Sequence, residues 1–332
     1  MKILIIRVTR IGDVLLTTPV VKVLKENYPN AKISFMVSEE IKDILIDNPY
    51  IDEIITIKNN IIYKILKEKN KKEVIFSFLK LLKKIKNSNF DWIIDFHGTG
   101  KTAFFSIISF SKNRIGKDKK SFSFVYNYKY KTNNKIHIVN DQINYLKFIN
   151  PNMKYNRLNF VIKTNSKKLK DVNNIITKDP NKIIIGIVPF TSHISKNWNI
   201  SNFVDICNWI NENLNAKIVI LGDSSREEDW KEITKKINEP VLNLIGKTSI
   251  KELIEIINGL DFLITGDTVP MHIAVAVNTP LISLIKSKDV NTYGPYNGNN
   301  ITIIKAHDSI INSIKKEEVI NAIKNLAKDI KK

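Results

Sequence analysis

Nearly unbroken β-branched apolar runs alternate with stretches of helical spacing along the whole chain. Runs of that kind suit strands covered on both faces of a parallel sheet, and the alternation is the α/β pattern. In the first half, strands are predicted at 2–8, 32–37, 53–57, 91–96 and 113–115. Helices are predicted at 19–27, 39–46, within 61–88 and at 102–109. A polar, lysine-rich patch around 164–181 precedes a second series, with strands at 182–188, 217–221, 241–244, 261–265 and 280–285. Its helices fall near 202–214, 226–237, 249–259, 270–277 and 316–330. The expected architecture is two α/β domains of parallel strands with a cleft between them.

Composition narrows the function classes. The 332 residues are enough for two ordinary domains. The single cysteine, Cys207 in FVDICNWI, excludes an internal disulfide and any multi-cysteine metal site, and its setting reads as a buried helix face. The opening MKILIIRVTR is apolar only over residues 3–6 before Arg7 interrupts it, too short for a signal peptide. No later run reaches membrane-spanning length, so the chain reads as cytoplasmic. A net charge of +19 calls for an anionic partner: nucleic acid, phospholipid headgroups or phosphorylated substrates. The same excess follows from the lysine-heavy codon bias of an AT-rich genome. Arginine is scarce, which speaks against specific nucleic-acid binding. Neither half carries G-x-G-x-x-G after its first strand, so an NAD enzyme is poorly supported.

The stretch DFHGTGKTAFFS has the strand, glycine loop and helix of a phosphate-binding P-loop. In the full signature a glycine stands five residues before the second one. Asp95 stands there instead, with a carboxylate where phosphate oxygens would lie. The likeness to a P-loop is read as accidental.

Three other loops at strand ends carry chemistry, the place where open α/β sheets bind ligands. In RVTRIGDVLLTTP, Gly12 is suited to a left-handed turn, Thr18 to a helix cap and Pro19 to the first helical position. Asp13 then sits at the strand end, as a proton acceptor or as a loop-stabilising carboxylate. In VPFTSHISKNW, Thr191, Ser192 and Lys196 offer hydroxyls and a cation to phosphate oxygens, while Trp198 packs. In TGDTVPMHIAVAV, Asp267 ends a strand, Thr268 caps a small apolar helix, and His272 lies near its start. The N-terminus of such a helix is an anion site, and Asp267 is placed for sugar hydroxyls.

Together these segments resemble the ADP-heptose–lipopolysaccharide heptosyltransferase family, inverting glycosyltransferases of the GT-B fold. The resemblance runs through MKILIIRVTRIGDVLLTTPVVKVLKENYPNAKISFMV and DWIIDFHGTGKTAFFS. It resumes at PFTSHISKNW, VILGDSSREE, NLIGKTSIKELIEII and DFLITGDTVPMHIAVAVNTPLISL. It implies an acceptor-side Rossmann-like domain over 1–170 and a nucleotide-sugar-binding Rossmann-like domain over 180–332, facing a central cleft. Asp13 matches the general base, with Gly12, Asp95, His97 and Gly98 on the acceptor side. Thr191, Ser192 and Lys196 match the diphosphate loop, and Asp267, Thr268 and His272 the donor segment, with Thr248 beside them. Glu227 and Glu228 compete for a ribose-binding position, and Glu227 is preferred.

The implied reaction moves a heptose from ADP-heptose, a substrate rather than a cofactor, to an anionic lipopolysaccharide-core acceptor. A departing diphosphate needs preplaced positive charge. No D-x-D motif is present to hold a metal, so Lys196 and the helix N-terminus are expected to serve. Two departures matter. Val269 stands where the family has glycine, and IKSKDV replaces F-G-P-T-D-P after the following strand. They leave room for another sugar, another cell-envelope acceptor, or a degenerate protein that binds glycolipid without catalysis. Residues 63–88 mix lysine with Ile, Leu and Phe at helical spacing. They fit either a solvated helix packed on a core or peripheral contact with the inner face of the cytoplasmic membrane.

Overall fold

The computed structural model describes residues 1–58, 71–118, 121–164, 179, 181–286, 288, 290–308 and 310–330. The chain divides into two compact units, Met1–Lys163 and Thr164–Lys332.

The first unit holds a six-stranded parallel sheet in the order β3-β2-β1-β4-β5-β6. Its strands are β1 (Lys2–Ile6), β2 (Lys32–Ser38), β3 (Glu53–Ile57), β4 (Trp92–Asp95), β5 (Asn113–Lys117) and β6 (Tyr128–Tyr130). Between them run α1 (Ile11–Leu15), α2 (Thr18–Asn27), α3 (Lys71–Asn87), α4 (Gly100–Ile108) and α5 (Ile138–Tyr145). β1 contributes Ile3, Leu4, Ile5 and Ile6, all fully buried, because helices cover both faces of the sheet. α2 is buried on more than one side, since α5 packs over it.

The second unit repeats the plan, in the order β12-β11-β10-β7-β8-β9. Its strands are β7 (Ile183–Val188), β8 (Ala216–Ile220), β9 (Leu242–Asn243), β10 (Phe262–Gly266), β11 (Leu281–Lys286) and β12 (Ile301–Ala306). The helices are α6 (Ile200–Asn213), α7 (Glu227–Thr234), α8 (Ile250–Gly259), α9 (Val269–Val277), α10 (Val290–Tyr293) and α11 (Lys316–Ile330). Ser249 and Glu252 form a reciprocal capping box that starts α8. α9 ends at Asn278, whose φ of 60° takes the left-handed cap that Asn tolerates. Cys207 is buried in the core on α6, and burial pushes its thiol up to about 12.

Several local expectations change. Residues 39–45 form a 3-10 helix rather than an α-helix. Gly12 lies inside α1, and the left-handed residue of that loop is Arg10, with φ 67°. Thr18 does not cap α2: its hydroxyl donates to Leu15 O at 2.8 Å and accepts the Val161 N–H at 3.0 Å. Part of the 63–88 helix, much of the 164–181 patch, and Ser287 and Asp289 of the 285–290 loop lie outside the described residues.

Candidate functional site

In each sheet the strand order reverses between two neighbours, β1/β4 in the first unit and β7/β10 in the second. Loops leaving those two strands diverge in opposite directions, which opens a crevice at their carboxyl ends. Register sets the loops flush: Ile6 pairs with Asp95, and Thr265 with Val188.

At the first crevice, Arg7 is the residue that follows β1, and its side chain is nearly buried. Its Nη1 donates to Phe96 O at 2.5 Å, and its Nη2 pairs with Asp13 Oδ2 at 2.6 Å. Arg7 therefore staples the loop after β4 to α1 and fixes the direction of the Asp13 carboxylate. Left-handed Arg10 reverses the chain so that α1 starts at once, at a cost that only glycine avoids. Asp13 falls in the first turn of α1, where the helix dipole favours a negative charge.

Asp95 is completely buried and organises the neighbouring loop. Its Oδ1 accepts the His97 and Gly98 N–H groups, each at 2.9 Å, and its Oδ2 accepts the Tyr126 hydroxyl at 2.7 Å. Burial raises its pKa above the ordinary carboxylate value, and these donors oppose the rise. Thr99 N–H donates in turn to Thr102 Oγ1 at 2.9 Å. Three successive N–H groups that a P-loop would turn on phosphate are thus held by side chains of the loop itself. Gly98 is required, because its φ is 65°.

His97 is half-buried among Arg7, Lys117 and Asp13. Burial first, then the Arg7 and Lys117 charges, depress its pKa from 6.5 to about 4. The unfolded chain binds a proton between those two values that the folded chain refuses. The stabilising effect of a neutral His97 is therefore complete above about 6.5 and drains as pH falls towards 4. In an NMR titration the His97 ring is expected to stay neutral until the pH nears 4; a midpoint at 6.5 would place it in open solvent.

At the second crevice, the loop after β7 is closed by Asn197. Its Oδ1 accepts from Thr191 N at 2.7 Å and from Thr191 Oγ1 at 2.9 Å. Trp198 anchors the loop's far end: it is buried, and its Nε1 donates to Ile314 O at 2.9 Å. Lys196, at the end of a short 3-10 turn, reaches across to the β10 loop, where its Nζ pairs with Asp267 Oδ2. Gly266 permits that approach, since a Cβ there would lie 2.8 Å from Thr191 Cγ2. Thr268 is the extended N-cap of α9, and His272 is buried one turn into the helix. Ser192 is exposed beside Thr191.

The remaining predicted residues lie on the next loops of the same sheet edge. Arg226, after β8, stacks over the Phe190 ring at 4.7 Å and joins that loop to the one after β7. Glu227 and Glu228 both pair with Lys231, at 3.3 and 2.9 Å, and Glu227 is the less exposed of the two. Gly246, at φ 69°, brings the loop after β9 against Ser224, and half-buried Thr248 follows it. Val269 is the first residue of α9, and Lys286 the last of β11. Sequence reasoning missed Arg7, Asn197 and Arg226. Arg7 carried a signal, as a charge ending an unbroken apolar strand.

Solved structures share this arrangement of strands. A glycosyl transferase family 9 protein from Veillonella parvula superposes with a TM-score of 0.85 at 20% identity, covering 98% of this chain and 96% of that one. Escherichia coli ADP-heptose lps heptosyltransferase II gives a TM-score of 0.84 at 17% identity, with both chains fully covered. The fold is therefore the GT-B fold of glycosyltransferases. Residues 78–323 match the profile of glycosyltransferase family 9 (heptosyltransferase). The chain belongs to that family and is a glycosyltransferase. Among its relatives, lipopolysaccharide heptosyltransferase 1 of Campylobacter coli is 25% identical over 99% of this chain and all of its own length.

Proposed function

We propose that the protein transfers a heptose from ADP-heptose to a lipopolysaccharide-core acceptor, with inversion and without a metal. The first unit is the acceptor side and the second the donor side. The observation that carries this reading is the pairing of Lys196 with Asp267 at the β7/β10 crevice, beside the start of α9. A diphosphate there meets a lysine and the N–H groups that a helix leaves unbonded in its first turn. As the sugar–phosphate bond breaks, charge grows on the departing phosphate, and these groups stabilise it. Asp13 takes the proton of the acceptor hydroxyl as the new bond forms. A single displacement of that kind inverts the anomeric centre. The family description and the relative from Campylobacter coli support heptose and lipopolysaccharide.

Incubating the protein with ADP- and UDP-sugars and core lipid, and following nucleotide release, tests the reading. Release of ADP that depends on the acceptor is expected; release only from UDP-sugars would redirect the donor assignment. With lysine in the metal's usual role, transfer is expected to persist in excess EDTA. Loss that one divalent ion restores would overturn that mechanism.

A binding-only protein is the second reading. Val269 favours it, because its side chain occupies the first position of α9, where a donor would approach the backbone. Nucleotide release at catalytic turnover excludes it.

A further inference from the structure

α3 carries two apolar stripes, and the fold accounts for one of them. Val74, Ile85 and the partly buried Phe78, Leu81 and Leu82 face the sheet, where Phe78 meets Phe105 of α4 edge to face. The other stripe is outward. At 3.6 residues per turn, Lys72, Ile75, Phe76, Leu79, Lys83 and Lys86 share one arc of roughly a hundred degrees. Phe76 is 71% exposed and Leu79 56%. α4 continues the surface with exposed Phe104 and Ile107, followed by Phe110. Lys86 ties the two helices together, its Nζ lying 5.3 Å from the centre of the Phe110 ring. Of the fourteen large hydrophobic residues exposed among the described residues, six lie on α3, on α4 or directly after α4.

We propose that this face of the first unit, formed by α3 and α4, is a peripheral docking surface for an anionic lipid bilayer. Charge complementarity selects the occupant. α3 contains six lysines and one glutamate, so it attracts anionic headgroups while its aromatic and aliphatic side chains enter the acyl boundary. A second copy docking through the same face would set lysine against lysine. A nucleic acid would stack on the phenylalanines but leave Ile75, Leu79 and Ile107 without an apolar partner.

Position adds a consequence that rests on the proposed acceptor side. α4 begins directly after the His97–Gly98 loop, and the Phe122 ring lies 2.8 Å from where a Cβ on Gly100 would stand. The patch therefore starts within one helical turn of the acceptor loop. A lipid-anchored acceptor then reaches Asp13 without leaving the membrane.

Sedimentation of the full chain with phosphatidylglycerol-containing and pure phosphatidylcholine vesicles, across a salt series, is the test. Binding to the anionic vesicles that weakens with salt is expected. Lys72→Glu/Lys83→Glu/Lys86→Glu is expected to weaken it by at least about a hundredfold, taking roughly fivefold per lysine near the surface. Phe76→Ser/Phe104→Ser is expected to weaken binding while leaving its salt dependence in place. ADP affinity and the thermal midpoint of both variants serve as folding controls. Absence of binding at low salt overturns the proposal. So does a lysine variant that binds like the parent, a dimer that these substitutions dissociate, or single-stranded DNA that competes equally with vesicles. The measurement uses neither donor nor acceptor, so its failure leaves heptose transfer standing, and a failed transfer assay leaves the lipid result standing.

Discussion

Asp13→Asn is expected to leave ADP-sugar binding unchanged and to lower kcat by about 10²–10⁴-fold, the range for removing a general base. An acceptor hydroxyl is a weak nucleophile at neutral pH, and asparagine keeps the shape and an acceptor oxygen but takes no proton. Arg7 makes the experiment sharper. Its guanidinium is nearly buried and pairs with Asp13 at 2.6 Å, so losing the carboxylate charge also strips a buried cation of its counter-ion. A structural role for Asp13 would therefore appear as a lowered thermal midpoint with kcat of the folded fraction intact. A catalytic role appears as lost kcat whatever the midpoint does. Near-parental kcat in a well-folded Asn variant would send the search for the base elsewhere.

Lys196→Ala is expected to weaken ADP binding and to cut kcat by about 10²–10³-fold, close to 3–4 kcal/mol, as when one preorganised donor to a developing anion is removed. Two effects contribute. The departing diphosphate loses a cation, and Asp267, only 11% exposed, loses its partner and repels the ligand. The double variant Lys196→Ala/Asp267→Asn separates them. It should recover part of the ADP affinity, because the repulsion goes, and none of the rate, because the cation is still missing. Equal ADP affinity and turnover in parent and Lys196→Ala would remove Lys196 from the site.

Much of the fold is legible in the chain because both sheets are covered on two faces. A strand buried on both sides must be apolar at every position, and runs such as KILII and IIIGIV have no other ready explanation. Elements without that constraint were missed. β6 is three residues at a sheet edge, and β12 is an edge strand that stays partly exposed. α5 hides its role behind polar residues: Asp141 and Gln142 are buried in it, with Asp141 accepting from Tyr130 OH at 2.8 Å. A five-residue helix such as α1 has too few positions to show a period. For the site, residue types at strand ends were readable, but pairings were not. Lys196 and Asp267 are 71 positions apart, and only the adjacency of β7 and β10 brings them together. Arg7 was visible as a break in an apolar run, but its partners depend on how the β4 loop folds back.

The lysine at the second crevice arrives with its own counter-ion, and under the proposed function that pairing would make the site selective before any sugar is read. An anion that enters has to displace Asp267 rather than simply neutralise a bare charge. Chloride and single phosphates offer little to exchange against a carboxylate already in contact. A diphosphate spanning both the lysine and the start of α9 has a second foothold from which to make the exchange. In the proposed donor site the ion pair would thus act as a threshold that favours a diphosphate over smaller anions.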